Sequence, residues 1–353
     1  MPPIPDPRTM SPSVFLNNLR HFEVNEENGH RLLGAVIGKA ELDPLKWASA
    51  GIIKRKAASQ LAPLPKLGLE SILTSPSDGF KKLIFSTYDD LKVETVIIPL
   101  HKPGRVSVCL SSQVGCVMGC TFCATARMPR RRNLQSWEII DQMHQAREVA
   151  IESGRRVSGA VFMGMGEPFL NYENVLTAAE LLSYPVANAV RSKAITISTV
   201  GLVNEINRYT AEKRPYRLSI SLGAATDEKR RMLVPVAARK RGGAVMQGAR
   251  SSGLLRKVRV MISYVCISGV NIFDDDAKAL AVLIGDTRVR MDLIDVTDNT
   301  GHYKKPTEGE IKSFRNALNV YLKQPVVRRY SGGSDINAAC GTLSGGMSPS
   351  YNI

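Results

Sequence analysis

Val106-Ser-Val-Cys109-Leu-Ser-Ser-Gln-Val-Gly-Cys116-Val-Met-Gly-Cys120-Thr-Phe-Cys123 is a short apolar strand running into a glycine-containing loop with three closely spaced cysteines. Beyond it, strand patterns recur at 160–163, 194–199, 217–222, 258–265, 289–294 and 326–330, and the gaps are long enough for helices. In the first gap Trp137, Ile140, His144 and Arg147 share one helical face, with Ile139, Met143 and Ala146 beside it. Repeated strand–helix units predict an α/β fold, with a parallel sheet and right-handed crossovers, closed fully or partly into a barrel. A functional site is then expected at the C-terminal ends of the strands, where the cysteine loop begins.

Towards the N-terminus the pattern changes. Helical periodicity occupies 14–19, 29–37 and 52–61, a two-proline break follows at 62–66, and strands at 82–87 and 93–99 lead into the repeats. The expected organisation is a small, mainly helical accessory domain over residues 1–85, contacting RNA, and a core over residues 86–353.

The 353 residues carry a formal net charge of +15, a field that attracts phosphate backbones. No stretch approaches the ~20 apolar residues of a membrane span. The proline-rich start, residues 1–12, lacks the apolar region of a secretory signal, so a cytoplasmic protein is expected.

Four of the six cysteines (109, 116, 120, 123, 266 and 340) fall within fifteen residues, as befits a metal or redox site in a reducing compartment. A four-iron cluster normally takes four thiolates, so three on one loop would leave an iron open to another ligand. Zinc is the competing reading, with Cys109 or Cys340 as fourth ligand. Against it stands one compact Cys-x3-Cys-x2-Cys run with no second knuckle. Inert buried cysteines are a third reading, weakened by Gly115 and Gly119, which keep the loop open.

With Phe122 before its last cysteine, this run resembles the signature of the radical S-adenosylmethionine (SAM) superfamily. The contexts of Cys109, of Asp335-Ile-Asn-Ala-Ala-Cys340-Gly, of Val93-Glu94-Thr95-Val96, of Gly164-Met-Gly-Glu-Pro168 and of Ser198-Thr-Val-Gly201 resemble the RlmN/Cfr family of RNA methyltransferases, in one order and at compatible spacing.

The resemblance implies a radical SAM partial (β/α) barrel holding a [4Fe-4S] cluster on Cys116, Cys120 and Cys123. The open iron chelates SAM, and one electron cleaves SAM to methionine and a 5′-deoxyadenosyl radical. It further implies that Cys340 is methylated by one SAM and that the radical from a second removes hydrogen from its S-methyl group. The resulting carbon radical adds to an adenine ring. Cys109 then attacks the Cys340 sulfur, releasing product and leaving a transient disulfide for reduction. Glu94 matches the family's proton acceptor, although taken alone it reads as an ordinary strand glutamate. Gly166, Glu167, Ser198, Ser221, Leu222, Gly223 and Thr297 match SAM-contacting positions. Cys266, in an apolar strand, matches no motif and reads as packing.

Two departures bear on substrate. Ser221-Leu222-Gly223 stands where the family has Ser-Leu-His, and Thr297 stands at the SAM-binding asparagine unless a two-residue shift restores Asn299. The implied substrate is a looped-out adenosine of ribosomal RNA, with transfer RNA a further target, and with carbon 2 the commoner position and carbon 8 the alternative. Arg127, Arg130–Arg132, Lys304, Lys305, Arg328 and Arg329 offer phosphate contacts around the expected opening. A peptide or metabolite substrate for the same chemistry, and a zinc-stabilised RNA-binding protein, are the alternatives. A flavodoxin or ferredoxin as electron donor and a monomeric state complete the expectation.

Overall fold

The computed structural model describes residues 4–22, 24–236 and 241–345; residues 1–3 and 346–353, the extremities of the two expected domains, lie outside the described residues. The strands are β1 (Gly68–Thr74), β2 (Lys81–Ser86), β3 (Lys92–Pro99), β4 (Arg105–Cys109), β5 (Gln113–Val114), β6 (Arg132–Asn133), β7 (Arg156–Phe162), β8 (Ile195–Thr199), β9 (Arg217–Ser221), β10 (Val260–Cys266), β11 (Val289–Asp295) and β12 (Val326–Arg329). The helices are α1 (Pro12–Leu19), α2 (Glu26–Leu33), α3 (Pro44–Ser49), α4 (Arg55–Ala58), α5 (Ser136–Glu152), α6 (Tyr172–Leu182), α7 (Val203–Ala211), α8 (Asp227–Leu233), α9 (Gly242–Arg256), α10 (Asp274–Ile284) and α11 (Glu308–Tyr321).

Ten strands make one sheet in the order β1-β2-β3-β4-β7-β8-β9-β10-β11-β12. From β4 to β12 every pairing is parallel. Every residue of β8 is buried, as helices on one face and a filled interior on the other require. The first three pairings are antiparallel and extend the sheet backwards. The sheet therefore begins at Gly68, ahead of the 85/86 boundary read from the sequence. Its edges, β1 and β12, do not pair with each other among the described residues, so the barrel is partial.

The sheet curves, because one cavity is lined by residues from the end of β7 round to the end of β11. In a flat sheet those strands would stand four spacings, roughly 19 Å, apart.

The N-terminal region packs against α5 and α6. Phe15, Leu32, Leu33 and Trp47 join the same continuous core as the sheet residues. Polar ties fix the join: His144 Nε2 lies 3.1 Å from the Ile37 carbonyl, and Ser136 Oγ donates to the Arg8 carbonyl at 2.6 Å. Burial holds the His144 imidazole near a pKa of about 3, so this ring is neutral and structural. No described helix is long and apolar enough to cross a membrane.

Candidate active site

The three-cysteine loop is a stem-loop on top of β4. Its stem is the antiparallel pair β5–β6. Gly115 leaves the stem at φ +66°, where a Cβ would sit 2.5 Å from the Arg130 carbonyl, so only glycine lets the loop turn there. Further along, the Thr121 amide donates to the Leu233 carbonyl at 3.1 Å and the Ala124 amide to the Gly341 carbonyl at 2.7 Å. The loop is thus pinned between α8 and the C-terminal segment that carries Cys340.

Cys116, Cys120 and Cys123 line a cavity of about 1110 Å³, mouth included, together with Gly166, Glu167, Ser198, Ser221, Gly223, Thr297 and Cys340. Burial pushes the Cys116 thiol up to about 12. Cys120 lies well above its ordinary value, through burial first and then the charge of Cys123 and Cys116, partly offset by the Arg230 guanidinium. Thiols so placed ionise when a metal supplies the missing positive charge. Among the described residues no three His, Cys, Asp or Glu side chains converge on a single-ion site. The three thiols line one cavity, and thiolates that each meet a different iron can hold a cluster there.

Glu167 is 2% exposed. Its carboxylate accepts from the Phe169 amide and the Val200 amide, both at 2.9 Å. Burial raises its pKa to about 7 despite these bonds, and no cation is among the groups acting most strongly on it. A buried carboxylate short of a positive partner, at the wall of a cavity, fits the ammonium of an amino acid. Gly166, at φ +98°, packs its backbone against Gln113, where a Cβ would approach to 2.5 Å. The Gln113 side chain in turn receives the Glu167 amide at 2.8 Å.

Leu222, expected among the cofactor contacts, does not line the cavity: its side chain is fully buried in the core. Its amide donates to the Ser263 carbonyl at 3.1 Å, and its carbonyl accepts from Arg230. Arg230 was not singled out by sequence, since Lys229-Arg230-Arg231 reads as a solvated run. It is 1% exposed and also donates to the Val200 carbonyl at 2.7 Å, tying two strand-end turns together beneath the cysteine loop. Thr297 lines the cavity, whereas Asn299 lies off it and donates to Asn337 Oδ1 at 2.8 Å.

Cys340 is exposed and Cys109 buried, and both are free thiols. They meet in a second, smaller cavity of about 460 Å³ that also takes in Met163, Arg329 and Tyr330. Cys109 is pushed up to about 12, by burial first and then by the charge of Cys340, with Arg329 acting the other way. Ser331 Oγ accepts from the Cys340 amide at 3.2 Å. Glu94 lines neither cavity. It is fully buried on β3, paired with Lys82 Nζ at 3.3 Å, and accepts from the Ser344 amide at 3.1 Å. Lys82 also donates to the Asn337 carbonyl at 3.2 Å, so the pair braces the Cys340 segment from both sides. Cys266 is buried in the core.

The basic residues divide. Arg132 is bound by Asp89 at 2.6 Å and Glu138 at 2.8 Å, and Arg328 by Asp295 at 2.7 Å and Glu308 at 2.6 Å. These two are structural ion pairs rather than open phosphate sites. Arg127, Arg130, Arg131 and Lys304 are exposed.

The Radical SAM superfamily profile matches residues 110–284. A solved structure described as a radical SAM methyltransferase from Sphaerobacter thermophilus superimposes with a TM-score of 0.87 at 31% identity, covering 96% of this chain and 98% of that one. A dual-specificity RNA methyltransferase RlmN from Anaeromyxobacter sp. (strain Fw109-5) is 35% identical over 97% of this chain and 92% of its own length. The chain belongs to the RlmN family of radical SAM methyltransferases. It is therefore a SAM-dependent radical enzyme, and the family implies a [4Fe-4S] cluster and SAM, which the cavity's three cysteines and the buried Glu167 fit.

Two further relatives are more similar than that RlmN. A protein from Myxococcus xanthus (strain DK1622) named "Probable RNA methyltransferase" is 44% identical over 84% of this chain and 82% of its own. A second protein of the same Anaeromyxobacter strain, with the same kind of name, is 42% identical over 92% of this chain and 95% of its own.

Proposed function

We propose that this enzyme methylates an adenosine carbon in RNA through S-methylation of Cys340. The carrying observation is the pairing of Cys109 and Cys340, distant in sequence, in one small cavity that opens beside the cysteine-lined one. Cys116, Cys120 and Cys123 would hold the cluster. Gly166, Glu167, Ser198, Ser221, Gly223 and Thr297 would hold SAM, with Glu167 taking its ammonium. When bound, these groups supply the methyl group and the hydrogen-abstracting radical.

The chain's own residues do the rest. Exposed Cys340 accepts the methyl group on sulfur and, after hydrogen removal, presents its methylene carbon to the adenine. Addition of the carbon radical leaves an unpaired electron on the ring. This adduct gives up one electron, to the one-electron donor couple that drives SAM cleavage, and its ring-carbon proton. Cys109, deprotonated, then attacks the Cys340 sulfur. The S–S bond forms as the S–C bond breaks, the electron pair leaving with the carbon, which takes up a proton to become the methyl group. A two-electron reductant then restores both thiols. Glu94 is proposed as proton acceptor, and its contacts with Lys82 and Ser344 set it behind the Cys340 segment.

The proposed target is a looped-out adenosine in ribosomal RNA, methylated at carbon 2, with transfer RNA a second target. The net charge of +15 supports a polyanionic substrate. Reduction by flavodoxin or ferredoxin, a monomeric state and a cytoplasmic location belong to the same reading. A target distinct from that of RlmN has two supports. The Anaeromyxobacter strain holds both kinds of relative, and this chain is more similar to the one without the dual-specificity name. Gly223 and Thr297, the two departures from the family pattern, both line the cavity.

Nucleoside mass spectrometry of RNA incubated with the anaerobically reconstituted enzyme, SAM and reductant tests this reading. Methyladenosine that vanishes with Cys340→Ala supports it. Methyl transfer to a peptide or metabolite, with none to any RNA, contradicts it.

A further inference from the structure

A third cavity, of about 1160 Å³ with its mouth, lies outside the reaction centre. It shares Asp295, Val296 and Thr297 with the cysteine-lined cavity, and Arg329, Tyr330 and Ser331 with the Cys109–Cys340 cavity. This space therefore adjoins both cavities of the reaction centre.

The feature that marks it is Tyr330, 68% exposed. Its ring is held from behind rather than left to swing. The hydroxyl donates to Asp78 Oδ2 at 2.9 Å, and the ring meets Phe80 edge-on at 6.1 Å. Asp78 is itself fixed, because the Gly333 amide donates to the same oxygen at 2.8 Å. An exposed aromatic that is already immobilised loses little entropy when something stacks on it.

The electrostatics of the cavity say what that something is. Arg328, Arg329 and Lys305 face Asp295, Asp298 and Glu308. Arg328 is paired with Asp295 and Glu308, and Lys305 with Asp295 at 3.6 Å. Asp298 is capped by its own loop, accepting from the Tyr303 amide at 2.9 Å. A cavity so balanced has little attraction for phosphate. With an aromatic wall and polar rims at Ser331 and Ser334, it suits the flat face and hydrogen-bonding edge of a nucleobase.

We propose that Tyr330 is a stacking platform for the unpaired nucleotide next to the adenosine under modification, which makes the single-stranded neighbour part of substrate recognition. This rests on the reading that the substrate is RNA. Phosphate contacts fall to the exposed cations outside the cavity, such as Lys304.

The test uses the anaerobically reconstituted enzyme and a hairpin RNA whose looped-out adenosine is flanked by 2-aminopurine, titrated at several salt concentrations. Tyr330→Ala is expected to weaken binding about tenfold or more, as loss of one base–aromatic stack does. It should also abolish the 2-aminopurine quenching that the wild type shows. The slope of log affinity against log salt should not change, whereas Lys304→Ala should reduce it by about 1. Tyr330→Phe and Tyr330→Trp keep a ring and should bind within about twofold of wild type. Binding by Tyr330→Ala within twofold of wild type, or a loss that neither Phe nor Trp rescues, overturns the platform while leaving RNA methylation standing. A wild type that cleaves SAM but binds and methylates no RNA overturns both.

Discussion

The two groups of cysteines are built in opposite ways. Cys116, Cys120 and Cys123 come from one stretch, folded into a loop by the β5–β6 stem and a glycine at positive φ. Cys109 and Cys340 come from the end of β4 and from the far C-terminal segment, and only the curved sheet brings them to one cavity. The local trio is a donor set that any reader of the sequence can see. The distant pair acquires meaning only when the fold supplies its geometry. The pair is also unequal: Cys340 is exposed, whereas burial pushes Cys109 up to about 12. The exposed thiol can meet a methyl donor and a substrate, and the buried one stays protonated until attack is needed.

The sharpest way to break this contrast is to remove one member from each group. Cys120→Ala is expected to lose cluster absorption, SAM cleavage and methyl transfer together. Cys340→Ala should keep the first two and lose only the product. If Cys340→Ala also fails to cleave SAM in a 5′-deoxyadenosine assay, the two groups are not chemically separate. Within the pair, Cys109→Ala should stop turnover at a covalent protein–RNA adduct, visible as a nuclease-sensitive band shift in a denaturing gel. Free methylated RNA from that variant would remove Cys109 from the release step.

A smaller effect concerns the corner where SAM would sit. The folded pKa of Glu167, about 7, is raised above its ordinary 4.5. The unfolded chain therefore releases this proton first. The stability it contributes is complete below about pH 4.5 and is lost as pH rises to about 7, a change on the order of 3 kcal/mol. Glu167→Gln should remove that loss, so the variant's melting temperature falls less between about pH 5 and about pH 8 in the cofactor-free protein. The same variant should bind SAM roughly 10- to 100-fold more weakly, as expected for a lost charge-assisted bond. Identical melting profiles would contradict a raised Glu167 pKa in the folded protein. Smallest of all, Thr297→Asn is expected to change SAM affinity by no more than about fivefold, the worth of one neutral hydrogen bond.

Much of the architecture was legible because strand-length apolar or β-branched segments alternate with helix-length gaps, and β4 and β7–β12 all fall on or overlap the predicted strands. β1 was missed for the converse reason: six of its seven residues are exposed, so Gly68–Thr74 carries no alternation to read. The helix read at 52–61 shrinks to α4, Arg55–Ala58. Residues 51–53 form a turn and bend before Lys54 caps α4, and the helix ends at Ser59, four residues ahead of Pro63. At the site, residues in one motif were easy to place together. Arg132 and Arg328 were misread as open cations because their carboxylate partners lie elsewhere in the chain or on neighbouring strands. Leu222 sits in a matching motif yet points into the core. Arg230 and Tyr330 sit in no motif, and their contacts appear only in three dimensions.

The most direct measurement is peptide mapping by mass spectrometry after anaerobic incubation with SAM carrying a deuterated methyl group and reductant, before any RNA is added. The label is expected on the Cys340 peptide alone, with Cys109 unmodified. A label on Cys109, or on neither thiol while RNA added afterwards is still methylated, would contradict the division of labour between the buried and the exposed cysteine.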